Sequence, residues 1–156
     1  MIDLGIVEAP VTNQDLDVDI FRSDELVLIT HPEHELAKRD SVKPSDILKL
    51  PFITREEGSG TKSVIFDYFL KHNIERNKLN VCMELGNSES IKGAVEAGIG
   101  VSILSKTTIE KELELQRLAF IPLSPRLTRS FYFVKKRHKF KLKVTDELIS
   151  YAKSCN

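Results

Sequence analysis

The stretch Pro51-Phe52-Ile53-Thr54-Arg55-Glu56-Glu57-Gly58-Ser59-Gly60-Thr61 decides how this chain folds. Phe52 to Thr54 reads as a short buried strand, and Glu56-Glu57 as a charged turn. From Thr61 to His72 the apolar residues Val64, Ile65, Phe66, Phe69 and Leu70 recur at helical spacing. Glycines and short side chains at such a strand-to-helix turn leave backbone N–H groups open, and the helix dipole adds partial positive charge. Gly58-Ser59-Gly60-Thr61 is therefore a candidate anion cradle, with Ser59 and Thr61 as added hydroxyl donors. It is not a nucleotide motif: Thr61 stands before Lys62 where a P-loop needs Gly, and Ser63 replaces the third Gly of a dinucleotide fingerprint. The plainer alternative is a glycine-rich turn with an N-cap and no ligand.

Working outward, Val81 to Leu85 reads as a second strand, followed by Gly86 and the polar pair Asn87-Ser88. A helix runs from there to Ala97 with Ile91, Ala94 and Val95 inward, and Gly98 ends it as a C-cap. The same anion physics applies at Asn87-Ser88. In an α/β sheet both turns fall at the carboxyl ends of their strands, where ligands bind. Ordinary capping by Asn87 or Ser88, with Glu84 and Glu89 in water, is the alternative there. The remaining strands are expected at Leu4–Val7, Val18–Phe21, Glu25–Thr30, Val101–Leu104, Leu118–Ile121 and Ser130–Val134. The polar pair Ser23-Asp24 splits the second from the third. His31 to Val42 reads as a charged loop. Short helices are expected at Pro44–Leu48 and Lys106–Leu113, and a final amphipathic one carries Val144, Leu148, Ile149 and Ala152. Alternating strands and helices predict an α/β fold with a mainly parallel sheet, in two lobes, one of them built from both ends of the chain.

Composition sets the outer bounds. Of 156 residues 41% are apolar and 29% charged, an ordinary globular balance. Twenty-three basic residues against 23 acidic ones give a formal net charge of zero, which argues against a domain that itself holds nucleic acid. Two cysteines cannot build a disulfide scaffold or a four-ligand zinc site. Cys82, in an apolar run, is expected as a buried thiol and Cys155 as a loose one. No basic region followed by a long apolar stretch opens the chain, so neither a leader nor a membrane span is expected, and the cytoplasm is the default.

Catalytic constellations are poor. His31-Pro32-Glu33-His34 lacks a third metal ligand, no Gly-x-Ser-x-Gly elbow presents a nucleophile, and the adjacent Glu56 and Glu57 point apart. No catalytic residue, metal or cofactor is expected. The basic run Lys135-Lys136-Arg137-His138-Lys139 reads as a solvated loop leading into a helix more readily than as a phosphate track.

Taken in order, the segments resemble one family. Asp3-Leu4-Gly5-Ile6-Val7-Glu8, Asp24-Glu25-Leu26-Val27-Leu28-Ile29, His31-Pro32 with Leu36-Ala37, and the run from Pro51 to Thr61 are similar to the effector-binding domain of LysR-type transcriptional regulators. So are Glu84-Leu85-Gly86-Asn87-Ser88-Glu89-Ser90-Ile91-Lys92, Glu96-Ala97-Gly98-Ile99-Gly100-Val101-Ser102-Ile103-Leu104 and Arg129-Ser130-Phe131-Tyr132-Phe133-Val134. The resemblance covers nearly the whole chain. It implies a periplasmic-binding-protein-like (type II) architecture of two α/β lobes: residues 23–127 a complete second lobe, residues 1–22 and 128–156 an incomplete first one. It implies a small anionic metabolite held between the lobes by Glu8, by Ser59, Gly60 and Thr61, and by Asn87 and Ser88. It also implies a homo-oligomer, dimer or tetramer, whose DNA contacts come from a winged helix-turn-helix that these residues do not contain. The alternative is a transport solute-binding protein of similar fold; an enzyme on this scaffold would need a nucleophile, metal set or acid pair that the sequence does not offer.

Overall fold

In a computed structural model the described residues are 4–7, 13, 15–137 and 143–155. The chain divides into two units, Met1–Asp24 with Arg129–Asn156, and Glu25–Thr128.

In the first unit β1 (Leu4–Val7) pairs antiparallel with β7 (Leu127–Lys136), Leu4 opposite Lys135 and Val7 opposite Tyr132. β2 (Leu16–Thr30) lies on the other side of β7. Phe21 and Phe133 bring their rings to 4.5 Å, and Arg129 Nε donates to Asp24 at 3.0 Å with both side chains nearly buried. α5 (Lys143–Ser154) is the expected final helix. Its residues Val144, Leu148 and Tyr151 are all exposed. Two residues of the basic run are ion-paired, Lys135 to Asp146 at 2.7 Å and Arg137 to Asp17 at 2.9 Å. His138 and Lys139 fall outside the described residues.

β2 departs from expectation, for Ser23 and Asp24 do not break it. It runs unbroken through fifteen residues. The Arg129 partner of Asp24 explains this, because a polar residue whose charge is met across the ladder can stay in a strand.

The second unit is centred on β3 (Phe52–Arg55), α2 (Gly60–Lys71), β4 (Val81–Leu85), α3 (Ser88–Glu96) and β5 (Ser102–Ser105). β3 and β4 are parallel, with Phe52 opposite Val81 and Arg55 opposite Leu85, and a parallel bridge joins Phe52 to Val101 just before β5. The expected mainly parallel sheet is corrected beyond this point. β2 pairs antiparallel with β5 and with β6 (Ala119–Ile121). Parallel neighbours need a long crossover, and among the described helices that lie between two strands only α2 and α3 are long enough to supply one. A 3₁₀ turn at Glu35–Lys38 and the four-residue α1 (Pro44–Ile47) connect β2 to β3. The expected helix at 106–113 is a 3₁₀ turn, Lys106–Ile109, followed by α4 (Glu110–Glu114).

Alternation along the strands builds two cores. Leu26, Leu28, Phe52, Val101 and Ile103 pack with Ile65 and Phe69 of α2. Val27, Ile29, Ile53 and Leu104 pack with Ile91 and Val95 of α3. Burying a side chain such as the fully enclosed Phe69 contributes about 2–3 kcal/mol. α3 stops where expected: Gly98 takes φ +73°, its N–H donates to Val95 and that of Ile99 to Ala94, a Schellman pair. The expectation of a buried Cys82 is corrected too, since its side chain is exposed. β4 is paired only with β3 among the described residues, so its apolar letters do not buy enclosure on both faces.

Candidate functional site

The parallel pairing of β3 and β4 carries both sequence-singled turns to the carboxyl ends of adjacent strands. Ser59 caps α2, its Oγ accepting from Lys62 N at 3.5 Å, and is itself almost enclosed. Gly60 is exposed at the first helical position and Thr61 is half-buried beside it. Asn87 caps α3, its Oδ1 accepting from Ser90 N at 2.8 Å. Ser88 follows, half-buried. Glu8, the remaining candidate, lies outside the described residues.

Charged groups beyond the capping residues organise the candidate site. Arg55, at the end of β3, donates to Glu56 through Nε at 2.7 Å and Nη2 at 2.8 Å, a two-point contact, while its Nη1 reaches Ser88 Oγ at 3.4 Å. The guanidinium thus stands at the first residue of α3. Lys62 is buried, and its Nζ lies 2.6 Å from Glu84 and 2.9 Å from Glu57. Glu57 also accepts from Arg76 at 2.7 Å, and Arg76 covers the Phe66 ring. Adjacent carboxylates therefore diverge, as expected, and neither is placed to exchange a proton with the other.

These contacts set the proton affinities. The Arg55 hydrogen bond holds Glu56 down at about 2, and hydrogen bonds from Arg76 and Lys62 do the same for Glu57. Burial pulls the Lys62 ammonium down, but its hydrogen bonds to Glu84 and Glu57 outweigh it and leave the group above the usual lysine value. All three basic groups are charged at neutral pH, each opposite a carboxylate. Lys62 did carry a sequence signal: it precedes Ile65 by three and Phe69 by seven, which puts it on the inward face of α2.

His31 and His34 show no sign of converging on an ion. Their Nδ1 atoms accept from the backbone N–H groups of Glu33 and Leu36, at 3.2 and 3.1 Å. Both border a hollow of about 340 Å³ that Pro51 and Gly98 to Val101 also line, before the amino-terminal end of β5 and at the opposite end of the unit from the two turns, and His31 also borders a second of about 380 Å³.

The whole-chain comparison identifies the family. A model of the LysR substrate binding domain matches residues 1–154. The chain belongs to the LysR substrate-binding domain family. The HTH-type transcriptional regulator YeiE of Escherichia coli K12 is 35% identical over 99% of this chain, and a probable RuBisCO transcriptional regulator of Synechocystis PCC 6803 is 37% identical over 78%. This LysR-family chain spans about half the length of YeiE, 52%, and 36% of the second regulator. Among solved structures, the regulatory domain of Synechocystis PCC6803 CcmR in complex with 2-PG superposes with a TM-score of 0.83 at 29% identity, covering 97% of this chain and 72% of that one. The effector-binding domain of QuiR in complex with shikimate superposes at 0.77 and 21% identity, covering 97% and 70%. The fold is therefore the periplasmic-binding-protein-like type II fold of LysR regulatory domains.

Proposed function

We propose that this chain is the sensing part of a transcriptional regulator, and that a small anionic metabolite binds at the carboxyl ends of β3 and β4. The observation that carries the reading is the placement of two capped helix N-termini on adjacent parallel strands with the Arg55 guanidinium at one of them. Anions gain there from open N–H groups, from the dipoles and from a fixed cation. The residues assigned to the ligand are Ser59, Gly60 and Thr61, Asn87 and Ser88, and, from the family resemblance, Glu8. Residues 23–127 are read as one complete lobe, with 1–22 and 128–156 as part of another. The CcmR complex with 2-PG supports a ligand of this kind. The chain works as a sensor and not as an enzyme, in the cytoplasm, within a homo-oligomer, and DNA is contacted by a winged helix-turn-helix elsewhere in the protein.

Binding acts by favouring one arrangement of the regulator over another, so the differential affinity of the ligand is what shifts the population. In the full-length protein, exchanging both Thr61 and Ser88 for Ala should weaken effector binding at least tenfold, with the fold intact by circular dichroism. Calorimetry over a panel of small organic acids and phosphates that includes 2-PG tests this. A panel in which no anion binds the unaltered protein, or binds the double variant equally well, refutes the assignment.

A further inference from the structure

We propose that Thr54 is a specificity-determining residue of this anion site, its hydroxyl donating to an oxygen of the bound ligand from beneath the Ser59–Thr61 turn; the inference rests on the reading of the site given above. Thr54 is 3% exposed, and its Oγ1 finds no hydrogen-bond partner in the protein. A buried hydroxyl without a partner is costly, and such groups are few in native proteins.

Its direction follows from the strand. Phe52 packs edge-on against Phe69 of α2 at 6.1 Å, whereas Ile53 packs with Ile91 and Val95, and Arg55 reaches Ser88 on α3. Alternation therefore turns Thr54 to the α2 side. Phe69 lies near the carboxyl end of α2, and the helix runs back over β3 after a four-residue turn, 56–59. Two residues beyond Phe52, Thr54 is about 6.6 Å further along the strand, toward the amino-terminal turns of α2.

Ser105 joins it from β5. The parallel bridge between Phe52 and Val101 sets the register, and Val101, Ile103 and Ser105 share one face. Three enclosed hydroxyl residues, Thr54, Ser59 and Ser105, thus cap the apolar core at its ligand end. Neighbouring hydroxyls are occupied: Ser102 Oγ donates to the Ile53 carbonyl at 2.7 Å, and Thr108 Oγ1 to that of Ser105 at 2.8 Å. The donor of Thr54 sits under the positive end of a helix dipole, where an oxyanion supplies the acceptor. Ligands with an oxygen deep enough to reach it are preferred over those held only at the two helix ends.

The probe is inorganic sulfate, titrated into the ¹⁵N-labelled chain while the amides of Gly60 and Ser88 are followed by NMR. Thr54→Val keeps the shape and removes the hydroxyl; it should weaken sulfate binding about tenfold, as expected for one charge-assisted hydrogen bond, with a melting temperature equal to or above that of the parent. Thr54→Ser should bind within about twofold of the parent. Thr30→Val is the control, because Thr30 Oγ1 is also buried without a partner but lies at the opposite end of the sheet from the two turns; it should leave binding unchanged. Unchanged affinity in Thr54→Val, or equal loss in Thr54→Ser, overturns the role of the hydroxyl while the site stands. Absence of shifts at Gly60 and Ser88 in the parent overturns the site and this inference together.

Discussion

Removing Lys92 should expose how α3, one of the two helices that present the candidate site, is fastened to the rest of its unit. Lys92 Nζ lies 2.9 Å from Glu112 Oε1 on α4, 2.8 Å from Glu89 Oε1 and 3.2 Å from the Thr108 carbonyl. The side chains of Lys92 and Glu112 are only 7% and 12% exposed, and Glu112 Oε2 is buried without a partner. Lys92→Met keeps the stem and deletes the charge, so a nearly enclosed carboxylate loses the cation hydrogen-bonded to it. Removing one member of a buried pair costs about 3–5 kcal/mol. The partial access of water to both groups places the loss at the low end, about 3 kcal/mol. Glu112→Gln should cost only about 1 kcal/mol, because Lys92 keeps Glu89 and Thr108. Lys92→Met combined with Glu112→Leu should return near the parent, since apolar pairs of similar volume replace buried ion pairs without loss.

The pH dependence gives a second handle on the same variant. In the parent the Lys92 hydrogen bond holds the Glu112 carboxyl below its usual value, so its contribution is present above that value and fades on acidification. Burial lowers Lys92, but its bonds to Glu89 and Glu112 leave it above the usual lysine value, so its contribution is present below that value and is lost at higher pH. In Lys92→Met the bare carboxyl is pushed up by burial, takes a proton more readily, and the deficit narrows as pH falls. Urea denaturation followed by far-ultraviolet circular dichroism at pH 7 and at about pH 5 measures both effects. A loss under about 1 kcal/mol at pH 7, or a deficit that widens on acidification, refutes the reasoning.

Two further outcomes are expected. Glu56 and Glu57 both fall from 4.5 to about 2 in the folded chain, so the stability they contribute is complete above pH 4.5 and is lost as pH falls toward 2; a melting-temperature profile over that window should slope, and Glu57→Gln should make it shallower while Glu56 keeps its own share. Gly100→Ala should cost about 2 kcal/mol by thermal melting, because a Cβ there would stand 2.4 Å from the Pro51 carbonyl oxygen, which accepts from Val101 N at 2.8 Å, whereas Gly86→Ala meets nothing within 4 Å and should be tolerated.

The β3–α2–β4–α3–β5 run is legible because each of its parts announces itself locally. Phe52-Ile53 is apolar, Val64, Ile65 and Phe69 repeat at helical spacing, and Gly98 marks the stop. What is not legible depends on partners distant in sequence. Nothing in Ser23-Asp24 tells that Arg129 will stand opposite and keep the strand whole. Nothing around Cys82 tells that β4 has no described neighbour on one side. The antiparallel course of β2 and β6 is a matter of connection, which strand-helix alternation alone does not encode. At the candidate site the capping residues are readable from their types, whereas Arg55 and Lys62 look like surface charge until the neighbouring strand end and the inward helix face are in place.

The two-point grip of Arg55 on Glu56 has a consequence for how any charged guest is weighed. A carboxylate or phosphate arriving beside Ser88 meets a cation already supplied with a counter-ion by the next residue in the chain. It would find Nε and Nη2 already engaged by Glu56 and Nη1 turned toward Ser88. A cation neutralised in advance exerts little long-range pull, so affinity should vary little with added salt. Discrimination among anions at the proposed site would then fall to the spacing of oxygens in the guest.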